Sequence, residues 1–272
     1  MSTAQEPRAG SYDDFYRLFD TPLMREIRRE AYGEDIGQHS WVRPEELRAD
    51  LERLRLTRDS RLLDLGCGPC GPLTYALART GCSGMGIDSS PAALENGRSR
   101  ASTLGVERHL TLELADLNAR LPFGDHSFDA AMSLDVVIHL ADRSNVYREV
   151  ARVLKPGGRL VVTDAGILTG SISDDERAKR SWNGSIQLVR PGFNEAQLEA
   201  AGLCVVEAED RTPAAASNAV GRLAAMRAHR AELEALMEPR DVQGQMDYLE
   251  VVIELARRGA VSRMMFVAER PS

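Results

Sequence analysis

A chain of 272 residues can bury a sizeable core as one large domain or two small ones, and its formal charge of -7 excludes a long phosphate backbone as partner. Its 4 cysteines lie in or beside apolar runs in a chain too large to need staples, which excludes a disulfide scaffold and indicates a reducing compartment. Met1 to Asp14 is polar, and nowhere do about eighteen apolar residues run together, so no membrane partner and a cytoplasmic location are expected.

In chain order, Phe15, Leu18, Phe19, Leu23 and Ile27 have helical spacing broken at Asp20-Thr21-Pro22, which predicts one or two short amphipathic helices. Arg25, Arg28 and Arg29 fall beside Glu26 and Glu30 and read as a solvated helix face. Pro44 opens a helix with Leu47, Leu51 and Leu54 on one side. From Arg61 onward strands and helices alternate. Strands are expected at 61–66, 83–88, 110–115, 128–134 and 158–164, with helices near 72–80, 91–104 and 144–155. Pro72 and Pro91 stand in first turns, while Gly81, Gly105 and Pro156-Gly157-Gly158 follow helix ends. This alternation predicts a parallel sheet covered on both faces.

The order changes after residue 165. A polar stretch, 166–190, precedes a short helix at 194–201 and a strand at 203–208. Two long helical segments, 218–238 and 241–258, are split by Pro239, and a strand begins at Ser262. Pairing of the last two strands as a hairpin interrupted by helices would give a doubly wound α/β sheet of seven strands with an antiparallel edge. The expected organisation is an N-terminal helical lid at 1–41, a core at 42–212, a helical cap insertion at 213–260 and the last core strand at 261–272.

The segment Gly66-Cys67-Gly68-Pro69-Cys70-Gly71 follows a strand, opens a helix, and is followed by Asp88 at the next strand end, which satisfies the literal dinucleotide fingerprint. Gly66 and Gly68 permit a sharp turn and close approach of a ligand. Asp88 can accept both hydroxyls of an adenosine ribose. Asp64, two residues before the first glycine, would repel a pyrophosphate and suit an ammonium group. Pro69 and Pro72 remove amide donors that a phosphate would use. The pattern therefore favours a cationic cofactor without phosphates. Cys67 and Cys70 are followed by neither a second cysteine pair nor histidines at ligand spacing, so no metal is expected.

Leu62-Leu63-Asp64-Leu65-Gly66-Cys67-Gly68-Pro69-Cys70-Gly71, then Gly-Ile-Asp-Ser-Ser, Leu-Ala-Asp-Leu, Phe-Asp-Ala-Ala-Met-Ser-Leu-Asp and Val-Leu-Lys-Pro-Gly-Gly-Arg-Leu resemble the class I S-adenosylmethionine-dependent methyltransferases in order and spacing. The resemblance covers about 42–212 and implies a Rossmann-like core. It implies that Asp64, Gly66, Cys67 and Gly68 hold the methionine end and that Asp88, with Ser89, holds the ribose. Asp116 and Leu117 would face the adenine, and Ser133 and Leu134 would close under the methyl-bearing part.

Ligands in such sheets lie beyond the strand carboxyl ends, which brings Asp135, His139 and Asp164 toward the acceptor. His139 and Asp164 resemble a histidine and aspartate that flank the acceptor in natural-product sugar O-methyltransferases. The resemblance makes His139 the candidate base and Asp164 its orienter or a substrate anchor, the structural alternative being that His139 only shapes the pocket. Asp135 is read as a substrate contact or a buried structural acid. Ala31-Tyr-Gly-Glu-Asp-Ile-Gly-Gln-His-Ser-Trp41 is similar to a segment of sarcosine and dimethylglycine N-methyltransferases, with Gly37 where those carry histidine. It implies a lid in which Gln38 meets the cofactor and Tyr32, His39 and Trp41 meet the substrate, simple packing being the alternative for Trp41.

The expected function is methyl transfer from S-adenosylmethionine, yielding S-adenosylhomocysteine, to oxygen, nitrogen or activated carbon of a small molecule in secondary metabolism, by a monomer or homodimer. An NAD(P)-dependent oxidoreductase and a non-catalytic S-adenosylmethionine-binding module are the rivals. A nucleic-acid methyltransferase is disfavoured by the acidic balance and by Ser133 to Val136 standing where an Asn- or Asp-Pro-Pro-Tyr sequence would be.

Overall fold

The structure is a computed structural model that describes residues 11–182 and 184–272. Three helices lead in: α1 (Ser11–Leu18), α2 (Pro22–Tyr32) and α3 (Pro44–Arg53). The alternating part runs β1 (Arg61–Leu65), α4 (Gly71–Thr80), β2 (Ser83–Asp88), α5 (Pro91–Leu104), β3 (Leu110–Leu114), β4 (Phe128–Leu134), α6 (Arg143–Val153) and β5 (Leu154–Leu168). It is completed by α7 (Asp174–Arg180), α8 (Phe193–Ala200), β6 (Cys204–Asp210), α9 (Thr212–Ala228), α10 (Arg230–Leu236), α11 (Pro239–Arg257) and β7 (Val261–Glu269). The strand order is β3-β2-β1-β4-β5-β7-β6, with β7 antiparallel to both neighbours, so the expected seven-stranded sheet with an antiparallel edge is present.

Local chemistry explains the elements. Ser90 caps α5 by accepting the amide of Ala93, with Pro91 at the first helical position, and Gly81 and Gly105 end α4 and α5 in the left-handed conformation. Strand alternation divides the core between the two sheet faces. Leu63, Leu65, Phe128, Leu160, Val162 and Phe266 pack in one cluster, and Leu62, Leu73, Leu77, Met132, Val161 and Met265 in the other. A Cβ at Gly84 would come within 2.9 Å of Leu73 and Leu77, which shows how closely α4 seats on the sheet. That close seating fixes the β1–α4 loop.

The helices outside the sheet form a third cluster. Met24 and Ile27 of α2 pack with Leu223 and Met226 of α9 and with Met246 and Leu249 of α11. At the α2–α9 crossing a Cβ on Gly221 would meet the Ala31 carbonyl oxygen at 2.8 Å. α2 and the helical insertion are thus one packed layer.

Four features depart from the expectation. β5 extends over 154–168 because Leu154 pairs with Phe128 at one end and Leu168 with Val261 at the other. α7 occupies part of the stretch read only as polar, where Ser173 and Glu176 form a capping box. The helical cover breaks at His229 as well as before Pro239, and the His229 ring lies 3.1 Å from both Glu30 and Glu232. Arg28 is not solvated: it is 5% exposed, pairs with Asp20 and Asp35, and lies 3.9 Å over the Phe19 ring.

Asp164 also departs from its expected place beside His139. It is wholly buried within β5 and outside the cavity lining, and its carboxylate is taken up by Arg143, by Asn194 Nδ2 at 2.7 Å and by the Gly166 amide at 2.9 Å. Asn194 Oδ1 accepts from Tyr147 and Arg143 in turn, so the group ties α6 and α8 to the sheet. Strand position alone could not show this, because Arg143 and Asn194 are supplied from α6 before the strand and α8 after it. Asp164→Ala should lower the unfolding free energy by about 3–5 kcal/mol in urea titrations by leaving Arg143 buried and unpaired; a loss below about 1 kcal/mol would remove the structural assignment.

Candidate active site

The sheet order reverses between β1 and β4, and a cavity of about 310 Å³ opens beyond their carboxyl ends. The loop after β1 forms its floor. The amides of Gly66 and Cys67 both donate to the Ile87 carbonyl, at 2.8 and 3.0 Å, folding the loop back onto β2. Gly66 has φ +71°, and a Cβ there would strike Val136 at 2.6 Å. Gly68, at φ +52°, would bring a Cβ to 3.1 Å from the Tyr16 hydroxyl. Gly66 is therefore required by conformation and by space, and Gly68 by conformation. The Cys67 and Cys70 sulfurs are 3.5 Å apart, and burial pushes the Cys67 thiol well above its usual range, so it is no thiolate.

Two acids face the cavity from this floor. Asp64 is 3% exposed and accepts no hydrogen bond at its carboxylate among the described residues; burial, then the nearby charge of Asp88, raises it well above the ordinary carboxylate range. Asp88 accepts from the Gly68 amide at 2.8 Å and the Ser90 amide at 2.9 Å, and burial raises it too. Cys67, Ser89, Leu117 and Leu134 also line the cavity, as does Asp116, whose carboxylate accepts from Asn118.

Two expected cofactor residues are elsewhere. Ser133 is buried beneath the loop, its hydroxyl donating to the Leu65 carbonyl at 3.2 Å. Gln38 braces its own segment: its Oε1 accepts from the Ile36 amide at 3.0 Å and its Nε2 faces the Glu34 carbonyl. Tyr32, expected at the substrate, lies behind the cavity wall and donates to the Ser40 carbonyl at 3.0 Å.

Across from the acids, His139 closes the short turn after β4. Its Nδ1 is 2.9 Å from the Ser185 carbonyl, which fixes the tautomer with the proton there and leaves Nε2 as an acceptor. Nε2 accepts from the Tyr12 hydroxyl at 3.1 Å. Burial lowers the His139 pKa, so the ring is neutral at pH 7. The orienter of His139 is thus a backbone carbonyl rather than Asp164.

Asp135 and Trp41 line the wall together. Asp135 Oδ2 accepts the Trp41 amide at 2.8 Å, and Trp41 stacks on Tyr248 with 6.0 Å between ring centroids. His39 lines the cavity within an aromatic cage of α1, its ring 4.6 Å from Phe15 and 5.5 Å from Tyr16. Tyr12, Tyr16 and Arg222 complete the lining, and none carried a motif in the sequence. For the two tyrosines the one legible signal was the aromatic run of α1 itself. α1 is docked by Asp13, which accepts from Ser90 Oγ at 2.7 Å and the Ala92 amide at 3.0 Å.

Residues 63–162 match the family model described as a methyltransferase domain. Methyltransferase GfsG of Streptomyces halstedii is 38% identical over 123 residues, 45% of this chain and 44% of the relative. The 27-O-demethylrifamycin SV methyltransferase of Amycolatopsis mediterranei is 35% identical over 160 residues, 58% of each. The chain therefore spans about half the length of the curated relatives it matches. Among solved structures, a cyclopropane synthase from Mycobacterium tuberculosis superposes with TM-score 0.79 over 98% of this chain and 99% of its own, at 17% identity, which shows the shared fold.

Desolvation in the cage depresses His39 from 6.5 to about 3. The docked lid therefore binds fewer protons than an undocked one between those values, and docking weakens as pH falls below 6.5. The hydrogen-exchange protection of residues 11–19, taken relative to the intrinsic exchange rate at each pH, should fall on acidification through that window, and His39→Gln should flatten the dependence. A response equal in both proteins would remove His39 as its source.

Proposed function

We propose that the chain transfers a methyl group from S-adenosylmethionine to oxygen, nitrogen or activated carbon of a small molecule. The observation that carries the reading is Asp64: a buried carboxylate open to the cavity, without a partner among the described residues, beside glycines whose Cβ positions are filled. It fits the ammonium end of that cofactor and opposes a pyrophosphate. When bound, the cofactor supplies an electrophilic methyl carbon on a sulfonium.

The chain's own residues do the rest. Asp64, with Gly66, Cys67 and Gly68, holds the methionine end. Asp88 and Ser89 hold the ribose, and Asp116, Leu117 and Leu134 enclose the base and the floor. Neutral His139 takes the acceptor proton at Nε2, the position that the Tyr12 hydroxyl addresses in this structure. Tyr12 is itself a neutral donor, since burial raises its hydroxyl above the ordinary phenol. Trp41, His39 and Asp135 shape the acceptor wall, and the aromatic lid excludes water. Residues 1–41 form the lid, of which 1–10 lie outside the described residues, 42–212 with 261–272 form the core, and 213–260 the cap.

The 27-O-demethylrifamycin SV methyltransferase among the relatives supports a role in secondary metabolism. Buried free thiols at Cys67, Cys70 and Cys82 support a cytoplasmic setting, and no helix among the described residues is long and apolar enough to cross a membrane. We assign a monomer or homodimer.

Two outcomes test the reading. Asp88→Ala should weaken S-adenosylmethionine binding by one to two orders of magnitude, about 1.5–3 kcal/mol, in calorimetry; unchanged affinity would remove the ribose assignment. With an accepted substrate, kcat should fall on acidification with a limb below pH 6.5, because protonation silences His139 and its folded pKa lies below that value. His139→Ala should lower kcat about a hundredfold or more with cofactor affinity kept. Near-normal turnover in that variant would leave His139 as a wall.

A further inference from the structure

We propose that the acceptor carries an anionic group, a carboxylate or a phosphate, and that Arg222 of α9, backed by Arg180 of α7, binds it. This rests on the methyl-transfer reading only in that the acceptor end of the cavity is defined by it.

The argument is one of charge balance. Five arginines are buried among the described residues. Arg28 pairs with Asp20 and Asp35, Arg143 with Asp164, Arg211 with Asp50, and Arg263 with Glu46 and Asp135. Arg180 is the exception. It is 5% exposed, and its contacts among the described residues are neutral: the Tyr248 hydroxyl at 3.1 Å, the Ala165 carbonyl at 3.2 Å and the face of the Tyr248 ring. A buried cation without a counter-ion is costly unless a ligand supplies one.

Arg222 stands at the same end. It lines the cavity half-buried, its guanidinium 5.2 Å over the Trp41 ring, and it makes no ion pair or side-chain hydrogen bond among the described residues. Trp41 stacks on it and leaves its donors free for two oxygens of a carboxylate or a phosphate. Tyr248 adds a donor: its oxygen accepts from Arg180, so its own proton is available. The acids of the cavity do not neutralise this end. Asp64 and Asp88 belong to the floor across from it, and Asp135 is already held by Arg263, Thr163 and the Trp41 amide. The field of the two arginines reaches the residues they adjoin, Arg222 lowering His39 and Arg180 lowering His139. An anion here would stand beside the base while the cationic cofactor lies against Asp64.

The test is equilibrium binding of benzoate, phenyl phosphate and benzamide to the full chain, with and without S-adenosylhomocysteine. The aromatic probes suit the Trp41 and Tyr248 wall, and benzamide is the uncharged analogue of benzoate. One of the two anions should bind at least about tenfold more tightly than benzamide and weaken as salt rises, and which one does so identifies the oxyanion. Arg222→Gln should abolish the preference, and Arg222→Lys should keep part of it. S-adenosylhomocysteine affinity and melting temperature should be unchanged in both variants. Equal binding of benzamide, no binding of either anion, or an unchanged preference in Arg222→Gln would overturn the proposal. Anion binding through Arg222 in a protein that does not take S-adenosylhomocysteine would instead overturn the methyl-transfer reading alone.

Discussion

The carboxylate of Asp135 joins more of this molecule than any other polar group at the cavity. Its residue sits at φ +62°, a left-handed conformation that a side-chain-bearing residue adopts only where its surroundings impose it. Thr163 of β5 imposes it, accepting the Asp135 amide on both its carbonyl and its hydroxyl oxygen, at 3.2 and 2.8 Å. The side chain then gathers the Trp41 amide, the Thr163 hydroxyl at 3.0 Å and Arg263 Nε of β7 at 2.9 Å. Arg263 continues to Glu46 of α3. One carboxylate thus sets the end of β4, the wall at Trp41 and the seating of the lid segment on the sheet. Buried pairs of this kind contribute position more dependably than net stability. Here the position is that of His139, four residues on.

From that fixed edge the cavity acquires two electrical ends. Burial acts with opposite outcomes on its two kinds of group: the carboxyls of Asp64 and Asp88 are raised, and the imidazoles of His39 and His139 are lowered. A cation laid against the floor restores the charge of Asp64, and the histidine side is left neutral and able to accept a proton. A doubly wound sheet supports many chemistries, so this distribution carries the functional argument and the fold does not.

Much of the framework was legible because it is local. Apolar strands, prolines in first turns and left-handed glycines marked β1 to β5 and their helices to within a few residues, and the glycine loop announced its own geometry. The site was legible where a residue sits on that framework: Asp64, Asp88, Leu134 and His139 follow from strand ends. It was not legible where a partner arrives from far along the chain. Asp164 looks like a site acid until Arg143 and Asn194 are seen on it, and Ser133 looks like a floor residue until its hydroxyl is found under Leu65. Tyr12, Tyr16 and Arg222 have no motif at all; only the docking of α1 and α9 over the sheet brings them to the cavity.

The central claim is that the loop at 64–71 is built for a sulfonium cofactor with a free ammonium group. Calorimetric titration of the full chain and of Asp64→Asn with S-adenosylmethionine and with NAD tests it most directly. The account predicts that the unmodified chain binds S-adenosylmethionine and not NAD, and that Asp64→Asn, with its fold intact by circular dichroism, loses most of that affinity. Tighter binding of NAD by the unmodified chain, or an Asp64→Asn variant that binds S-adenosylmethionine as well as its parent, would contradict it.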